Sequence, residues 1–385
     1  MTDTQPLIRT LRHDTSDRPF IVIWEVTRAC DLVCQHCRAD AIRERNPFEL
    51  TTAEGRRLLD ELASLGVPRP LVVLTGGDPF ERPDLEELVA HGTAQGLSMS
   101  LSPSVTPRLT RPTMQRLRDA GAKAVSLSLD GANAATHDGF RGVDGVFDAT
   151  LDATHLIREL GLRLQINTTV TRHTIVELPD VLRQVMAMDA FLWSVFFLVP
   201  TGRGEYLDAL DADETEDVLH WLHDVSRLVA IKTTEAPHFR RVALQRTGSA
   251  ERTGLGVLYD QLRTASADLL APERVPERRV PRPPLHINAG NGFVFVDHLG
   301  AVYPSGFLPI PVGSVRDRPI TEIYRDSPLL RALREPATFG GRCGHCEFRD
   351  VCGGSRSRAY ATTGDPLAEE PTCNHQPAAF LASNA

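Results

Sequence analysis

The 385-residue chain carries seven cysteines in two groups far apart in sequence. Cys30, Cys34 and Cys37 are separated by three and then two residues. Cys343, Cys346, Cys352 and Cys373 follow near the end, separated by two, five and twenty. An odd number of cysteines without an export signal does not read as a disulfide scaffold. Metal binding explains the spacing, because closely placed thiolates wrap around one centre or cluster. Three thiolates on a cubane of four irons leave one iron without a protein ligand, and an open position is what a catalytic centre keeps. The alternative for this group is a zinc knot with His36 as fourth ligand. Four thiolates close a site, so the second group suits a structural zinc or a fully ligated 4Fe-4S cluster. Spacing alone leaves both open.

Elements must hold these groups in place. Short apolar runs at 20–26, 71–74, 97–101, 124–129, 162–169 and 191–199 predict strands covered on both faces of a parallel sheet. Amphipathic helices are expected between them. One starts at a capping box, Thr51 with Glu54, and stops at Gly66; others cover 84–96, 110–121 and 144–161. Six such units predict an α/β fold, a partial (β/α)6 TIM-type barrel, followed by a smaller C-terminal α+β domain that carries the second cysteine group. The polar residues then fall at the C-terminal ends of the expected strands. They are Thr75-Gly76-Gly77-Asp78-Pro79, Ser102-Pro103-Ser104, Ser128-Leu129-Asp130-Gly131, Asn167-Thr168-Thr169 and Pro200-Thr201-Gly202-Arg203-Gly204. Singly, each reads as a turn or a β-former. Together they mark the rim that carries the active site in barrels.

Beyond residue 200 the pattern changes. An acid-led helix is expected over 211–231, and 245–284 is rich in Arg and Pro, as a loop or cover would be. A hairpin is expected at 292–304, with its turn at 298–300. The organisation expected is an N-terminal extension (1–19), a barrel (20–240), an Arg/Pro-rich linker or cover loop (241–285) and a domain with the four later cysteines (286–385). The longest apolar run, 191–200, is too short to cross a bilayer, and the N-terminus has no signal-peptide core. A cytoplasmic protein without a membrane partner is expected. Forty-two basic against fifty acidic residues leave a net charge of −8, which gives no field favouring nucleic acid.

The three-cysteine spacing after strand one, the Gly-Gly-acid stretch after strand two and the Ser-Leu-Asp-Gly after strand four resemble the radical S-adenosylmethionine (SAM) superfamily. Two positions depart from its usual pattern: His36 stands where an aromatic residue is common, and Asp78 where Glu is common. The resemblance implies that Cys30, Cys34 and Cys37 hold a 4Fe-4S cluster whose open iron chelates SAM. It implies reductive cleavage of SAM to methionine and a hydrogen-abstracting 5′-deoxyadenosyl radical, fed by a flavodoxin- or ferredoxin-type donor. Gly76 and Gly77 would let the backbone approach SAM, and Asp78 would oppose its ammonium. Ser128 and Asp130 would contact ribose or methionine, Arg141 a carboxylate, and Ser104 and Thr168 would complete the contacts. The four-cysteine region resembles the auxiliary-cluster domain called SPASM or twitch, with cysteines for one auxiliary 4Fe-4S cluster.

The run from Cys346 through Tyr360, with 197–204, 232–238 and 303–309, resembles the heme-biosynthesis branch, and the whole chain looks like a sister family within it. That branch acts on side chains of siroheme-derived tetrapyrroles. A carboxylate-bearing macrocycle needs cations and an apolar slot, for which Arg203, Lys232, Arg240 and Arg241 are candidates. His238 and His298 are candidate axial ligands or proton donors, with a structural histidine as the alternative for each. Peptide maturation is the alternative enzyme reading, and a zinc-stabilised binding scaffold the reading from another class.

Overall fold

The computed structural model describes residues 7–246, 255–271 and 282–383. All six expected strands are present: β1 (Ile21–Glu25), β2 (Leu71–Thr75), β3 (Ser98–Leu101), β4 (Ala124–Ser128), β5 (Arg163–Val170) and β6 (Leu192–Phe197). They pair in sequence order, each parallel to the next. Their residues alternate as a pleated sheet requires. Val22, Trp24, Val72, Leu74, Val125, Leu127 and Ile166 point outward to the helices and are buried. Ile21, Ile23, Val73, Ser100, Ser126 and Gln165 point inward.

Helices α1 (Thr52–Ser64), α2 (Leu85–Ala94), α3 (Arg111–Asp119), α4 (Ala134–Arg141), α5 (Val146–Glu159) and α6 (Leu178–Ala187) connect the strands. The capping box at Thr51 and Glu54 forms as expected. Trp24 packs under α1 at Gly55, and Trp193 of β6 meets Trp221 edge-on at 6.1 Å between ring centroids.

The sheet runs further than the six strands. The helix expected to reach residue 231 ends earlier, as α7 (Ala212–Val225), and β7 (Ile231–Thr234) pairs parallel to β6. At the other edge β8 (Asn288–Ala289) and β9 (Gly292–Val296) follow, and β9 pairs parallel to β1. The expected hairpin forms with β10 (Ala301–Tyr303), and β11 (Gly313–Ser314) completes the edge. Placed by sequence in the second unit, the hairpin instead hydrogen-bonds into the barrel's own sheet. Its alternating Phe293 and Phe295 line the same interior as Ile21 and Ile23.

Part of the expected cover loop is helical. After α8 (Phe239–Gln245), helices α9 (Val257–Ala265) and α10 (Ala267–Leu270) follow, and α9 packs against α7. Asp217 of α7 accepts from the Gly256 and Tyr259 amides, and the Tyr259 hydroxyl donates to Asp224 at 2.6 Å. The Arg/Pro-rich stretches at 247–254 and 272–281 lie outside the described residues. Helices α11 (Ile320–Asp326), α12 (Pro328–Ala332), α13 (Gly341–His345) and α14 (Arg356–Thr363) carry the chain through the four-cysteine region.

Two helical glycines give a paired test of this packing. A Cβ on Gly55 would sit 2.6 Å from Trp24 Cη2, whereas one on exposed Gly139 of α4 meets nothing within 4 Å. Glycine to alanine in a helix gains up to about 1 kcal/mol, and overpacking a core costs about 1–3. Urea unfolding should therefore show Gly139→Ala more stable, and Gly55→Ala less stable, than the parent chain.

Candidate active site

β1 delivers the chain into the loop that carries Cys30, Cys34 and Cys37. The loop closes on itself through a bridge between Ala29 and Ile42, with the Cys30 amide donating to the Ile42 carbonyl at 2.9 Å. Each sulfur meets a donor. The Leu32 amide reaches Cys30 Sγ at 3.4 Å, Arg141 Nη1 reaches Cys34 Sγ at 3.5 Å, and the Ala41 amide reaches Cys37 Sγ at 3.5 Å. Ser104 Oγ lies 3.4 Å from Cys30 Sγ and donates to the Gly77 carbonyl at 2.9 Å. Burial pushes the Cys30 thiol up to about 11, so a metal must displace its proton on binding.

Gly76 and Gly77 bring β2's continuation against this loop. The Gly77 amide donates to Thr27 O at 2.9 Å and the Asp78 amide to Ala29 O at 2.7 Å. A Cβ on Gly76 would lie 2.5 Å from the Thr27 carbonyl, and one on Gly77 would collide with the Ala29 carbonyl. The glycines thus permit two backbones to meet, and both still line the interior cavity.

Several expected contacts are corrected by the geometry. Asp78 does not face the cavity: fully buried, it accepts from the Phe80 amide and from Thr106 Oγ1 at 2.8 Å, capping a short turn. Thr168 sits on the outward set of β5, where its hydroxyl donates to Leu129 O and accepts from Trp193 Nε1 at 2.9 Å. Its neighbours Asn167 and Thr169 line the cavity instead. Asp130 is buried behind the rim, paired with Arg141 and accepting from the Thr169 amide at 2.7 Å. Burial would raise its carboxyl, but Arg141 and the nearby His36 and His137 outweigh that and hold it below the usual range. Asp130 therefore acts through Arg141, which lines the cavity and touches Cys34. Ser128 and Ser104 line the cavity.

The three residues expected to do chemistry lie elsewhere. Arg203 staples the cysteine loop: its Nε donates to Cys34 O at 2.8 Å and its amide to Cys37 O at 3.1 Å. His298 lies at the hairpin turn, 3.1 Å from Glu25 Oε1, while Arg38 holds the other Glu25 oxygen at 2.6 Å. His238 faces the four-cysteine site with Arg241 and Glu370. Of the expected carboxylate partners, Arg240 is spent on the carbonyls of Leu285, Ile287 and Cys352, and Arg241 on Glu216. Lys232 lines the cavity with no ion pair and no hydrogen bond of its ammonium among the described residues.

Sequence reasoning missed His137. It lines the cavity one helical turn before Arg141, a spacing that puts both on one face of α4. Its Nδ1 accepts from the Asp130 amide at 3.1 Å, so Nε2 carries the proton, and that atom is buried with no hydrogen-bond partner among the described residues. Burial holds its pKa near 4, so the ring is neutral. His36 stacks on Phe140 at 4.4 Å between ring centroids and is likewise neutral.

The second cysteine group gathers around α13 and the chain leading to Cys373. Cys343 Sγ accepts from the Glu370 amide at 3.3 Å, and Cys346 Sγ from the Phe348 amide at 3.4 Å. Burial pushes Cys352 up to about 11 and Cys373 to about 12. Both ring nitrogens of His238, and Nε of Arg241, are buried beside these sulfurs with no hydrogen-bond partner among the described residues. Burial holds His238 near 4, so its neutral ring offers one N–H donor; with the Arg241 Nε–H, unpaired donors beside four thiols fit a guest rich in sulfur acceptors. Among the described residues, three ligand atoms come within 4.8 Å of one another at Cys346, Glu347 and His375. Neither cysteine group closes that far, whereas zinc at about 2.3 Å from each sulfur would require it. The wider arrangement suits iron–sulfur clusters.

The barrel interior is a cavity of about 730 Å³. The three-cysteine loop, Gly76, Gly77, Ser104, Ser128 and Arg141 bound one end, and apolar side chains of β1, β2, β6 and β9 form the walls.

This fold and cysteine loop define a radical SAM protein: residues 24–185 match the radical SAM superfamily, and the chain belongs to it. It is an enzyme class that uses a 4Fe-4S cluster and SAM. An AdoMet-dependent heme synthase of Oleidesulfovibrio alaskensis is 39% identical over 373 residues, 96% of this chain and 90% of that protein. A protein of the same description from Methanosarcina barkeri is 37% identical over 364 residues, 94% and 98% of the two chains. The fold is similar to that of Streptococcus suis SuiB bound to S-adenosylmethionine, with a TM-score of 0.65 at 16% identity over 93% of this chain and 78% of that one.

Two substitutions check the corrected assignments. Thr168→Val should leave SAM affinity of the reconstituted protein within about twofold, yet cost about 1–3 kcal/mol in urea unfolding by orphaning the Trp193 N–H. Burial raises the Asp78 carboxyl to about 6, above an unfolded value of about 3.9. The stability Asp78 contributes is thus complete below about pH 4 and is lost as pH rises through about 6. Urea midpoints should show Asp78→Asn gaining on the parent chain between those values.

Proposed function

We propose that this chain is a radical SAM enzyme that modifies a side chain of a tetrapyrrole heme precursor. The carrying observation is the charge of the cavity. Ten of the residues lining it are Arg or Lys and one, Glu235, is acidic; Glu25 and Asp130 neutralise Arg38 and Arg141 from behind, which leaves eight without an ion pair among the described residues, in a protein of net charge −8. Glu235 is itself engaged by Ser305, Ser355 and Ser357. Apolar walls with an excess of cations suit a flat macrocycle bearing several carboxylates. The full-length similarity to heme synthases supports the same reading. A peptide is the alternative substrate, and nothing in a generic peptide calls for so many cations.

In this reading Cys30, Cys34 and Cys37 hold the SAM cluster, and Cys343, Cys346, Cys352 and Cys373 an auxiliary 4Fe-4S cluster. The first cluster and SAM, when bound, supply reductive cleavage to methionine and a hydrogen-abstracting 5′-deoxyadenosyl group. The chain's own part is positional. Arg203 fixes the cysteine loop, and Asp130 fixes Arg141 against Cys34. His137 and Ser128 offer polar contacts beside the loop. His238 and Arg241 offer N–H donors to the second group. The apolar wall keeps water from the reacting end.

Anaerobic incubation with SAM, a strong reductant and an iron tetrapyrrole bearing propionates tests this. Formation of 5′-deoxyadenosine should accompany a mass change on the tetrapyrrole, and Cys30→Ala should abolish both. SAM cleavage that leaves every tetrapyrrole unchanged overturns the substrate reading. Roughly eight iron per chain is expected; stoichiometric zinc in place of half of it removes the auxiliary cluster.

A further inference from the structure

Chemistry at the cysteine loop leaves the opposite end of the barrel without a stated role, and that end is where the unpaired cations are. Arg163 is the first residue of β5, Lys123 immediately precedes β4, and Lys232 is the second residue of β7. Arg9 and Arg282 complete the group from the chain crossing beneath the strands, where the Arg9 amide donates to Pro284 O at 2.9 Å. All five line the cavity and none makes an ion pair among the described residues; Glu235, also in the lining, is the acidic side chain that acts on Lys232. Burial and, after it, their mutual repulsion disfavour their charges: burial with Arg282 depresses Arg9 and Lys232, Glu235 partly offsetting this at Lys232, and burial with Arg163 depresses Arg282. Five like charges facing a single carboxylate repel one another, and a bound anion relieves them.

A closed barrel fills its interior with branched side chains. Here the inward positions next to Lys123 and Arg163 are Ser98, Ser100, Ala124 and Ser126, so the cavity stays open between the two ends. From Arg163 to Thr169 the strand advances six residues, roughly 20 Å at about 3.3 Å each. A substrate lying along it meets cations at one end and the cysteine loop at the other.

We infer that the N-terminal mouth of the barrel, with Lys232, Arg163, Lys123, Arg9 and Arg282, is a carboxylate subsite that anchors the non-reacting acid side chains of the substrate. It rests on the tetrapyrrole reading and adds an orientation: the carboxylates that survive the reaction point to the strand starts, and the reacting side chain to the cysteine loop. Lys232, half-buried and furthest inside, makes the deepest contact, and the exposed Lys123 and Arg163 guide entry.

The reconstituted enzyme with SAM can be titrated with two metal-free probes, coproporphyrin III with four propionates and mesoporphyrin IX with two, by Soret absorbance and fluorescence quenching. The wild type should prefer the four-carboxylate probe. Lys232→Met and Arg163→Ala should each weaken it about tenfold, the loss of one charged hydrogen bond, while mesoporphyrin changes by no more than about threefold. Lys123→Ala, at an exposed strand start where folding is not at stake, should move the preference the same way, and Lys232→Arg should restore it. Wild-type binding with both probes unchanged in all variants, or weakened equally, overturns the subsite and leaves the tetrapyrrole reading standing. A wild type that binds neither probe overturns both.

Discussion

The structure hangs on β1. It is the strand with parallel partners from opposite ends of the sequence, pairing with β2 on one side and with β9 on the other. Parallel pairing is slow to form and gains its strength from burial on both faces. Val22 and Trp24 supply that burial outward, and Ile21 and Ile23 face the cavity. The residues at the end of this strand are therefore fixed from two directions. Thr27 and Ala29 accept backbone hydrogen bonds from Gly77 and Asp78, while Glu25 at the strand end holds Arg38 and His298. The three-cysteine loop inherits its position from this arrangement.

Charge inside the rim is arranged in series. Asp130 is buried and would be costly alone, but it is compensated by Arg141 and a backbone amide. Arg141 in turn reaches Cys34, so the carboxylate acts on the thiol through a guanidinium. A carboxylate placed directly beside thiolates would oppose their ionisation; through Arg141 the same acid ends in a positive group against the sulfur. Arg203 repeats the device with carbonyls, binding Cys34 O and Ala41 O without touching a sulfur. Arg203 is expected at a substrate carboxylate and Arg141 at the carboxylate of SAM; the fold uses the first for the loop and sets the second against its sulfur.

What the sequence revealed followed from periodicity and spacing. The six strands, the capping box and the hairpin are local patterns that burial enforces, and all are present. The misplacements have physical causes. Thr168 was taken with its neighbours as a rim residue, but successive strand residues face opposite ways, and Ile166 on the same set is buried under helices. The helix expected through residue 231 ended early because the apolar residues there are needed by β7, whose partner β6 is distant in sequence. That the hairpin would join β1 had no local signal, since the pairing spans most of the chain. His137 did have one, its position a turn before Arg141 on one helix face.

The strand starts were overlooked for a different reason. Barrel enzymes carry their sites at the strand C-termini, and attention to that rim treats Lys123 and Arg163 as ordinary solvated charges. That rule assumes an interior packed solid, with the two faces isolated from each other. Serine and alanine at the inward positions of β3 and β4 remove the packing, and both ends of the barrel then border one cavity. Stability and function no longer divide between the faces. The cations at the bottom and the thiols at the top become opposite walls of the same site, and a substrate long enough to touch both is oriented by the difference in chemistry between them.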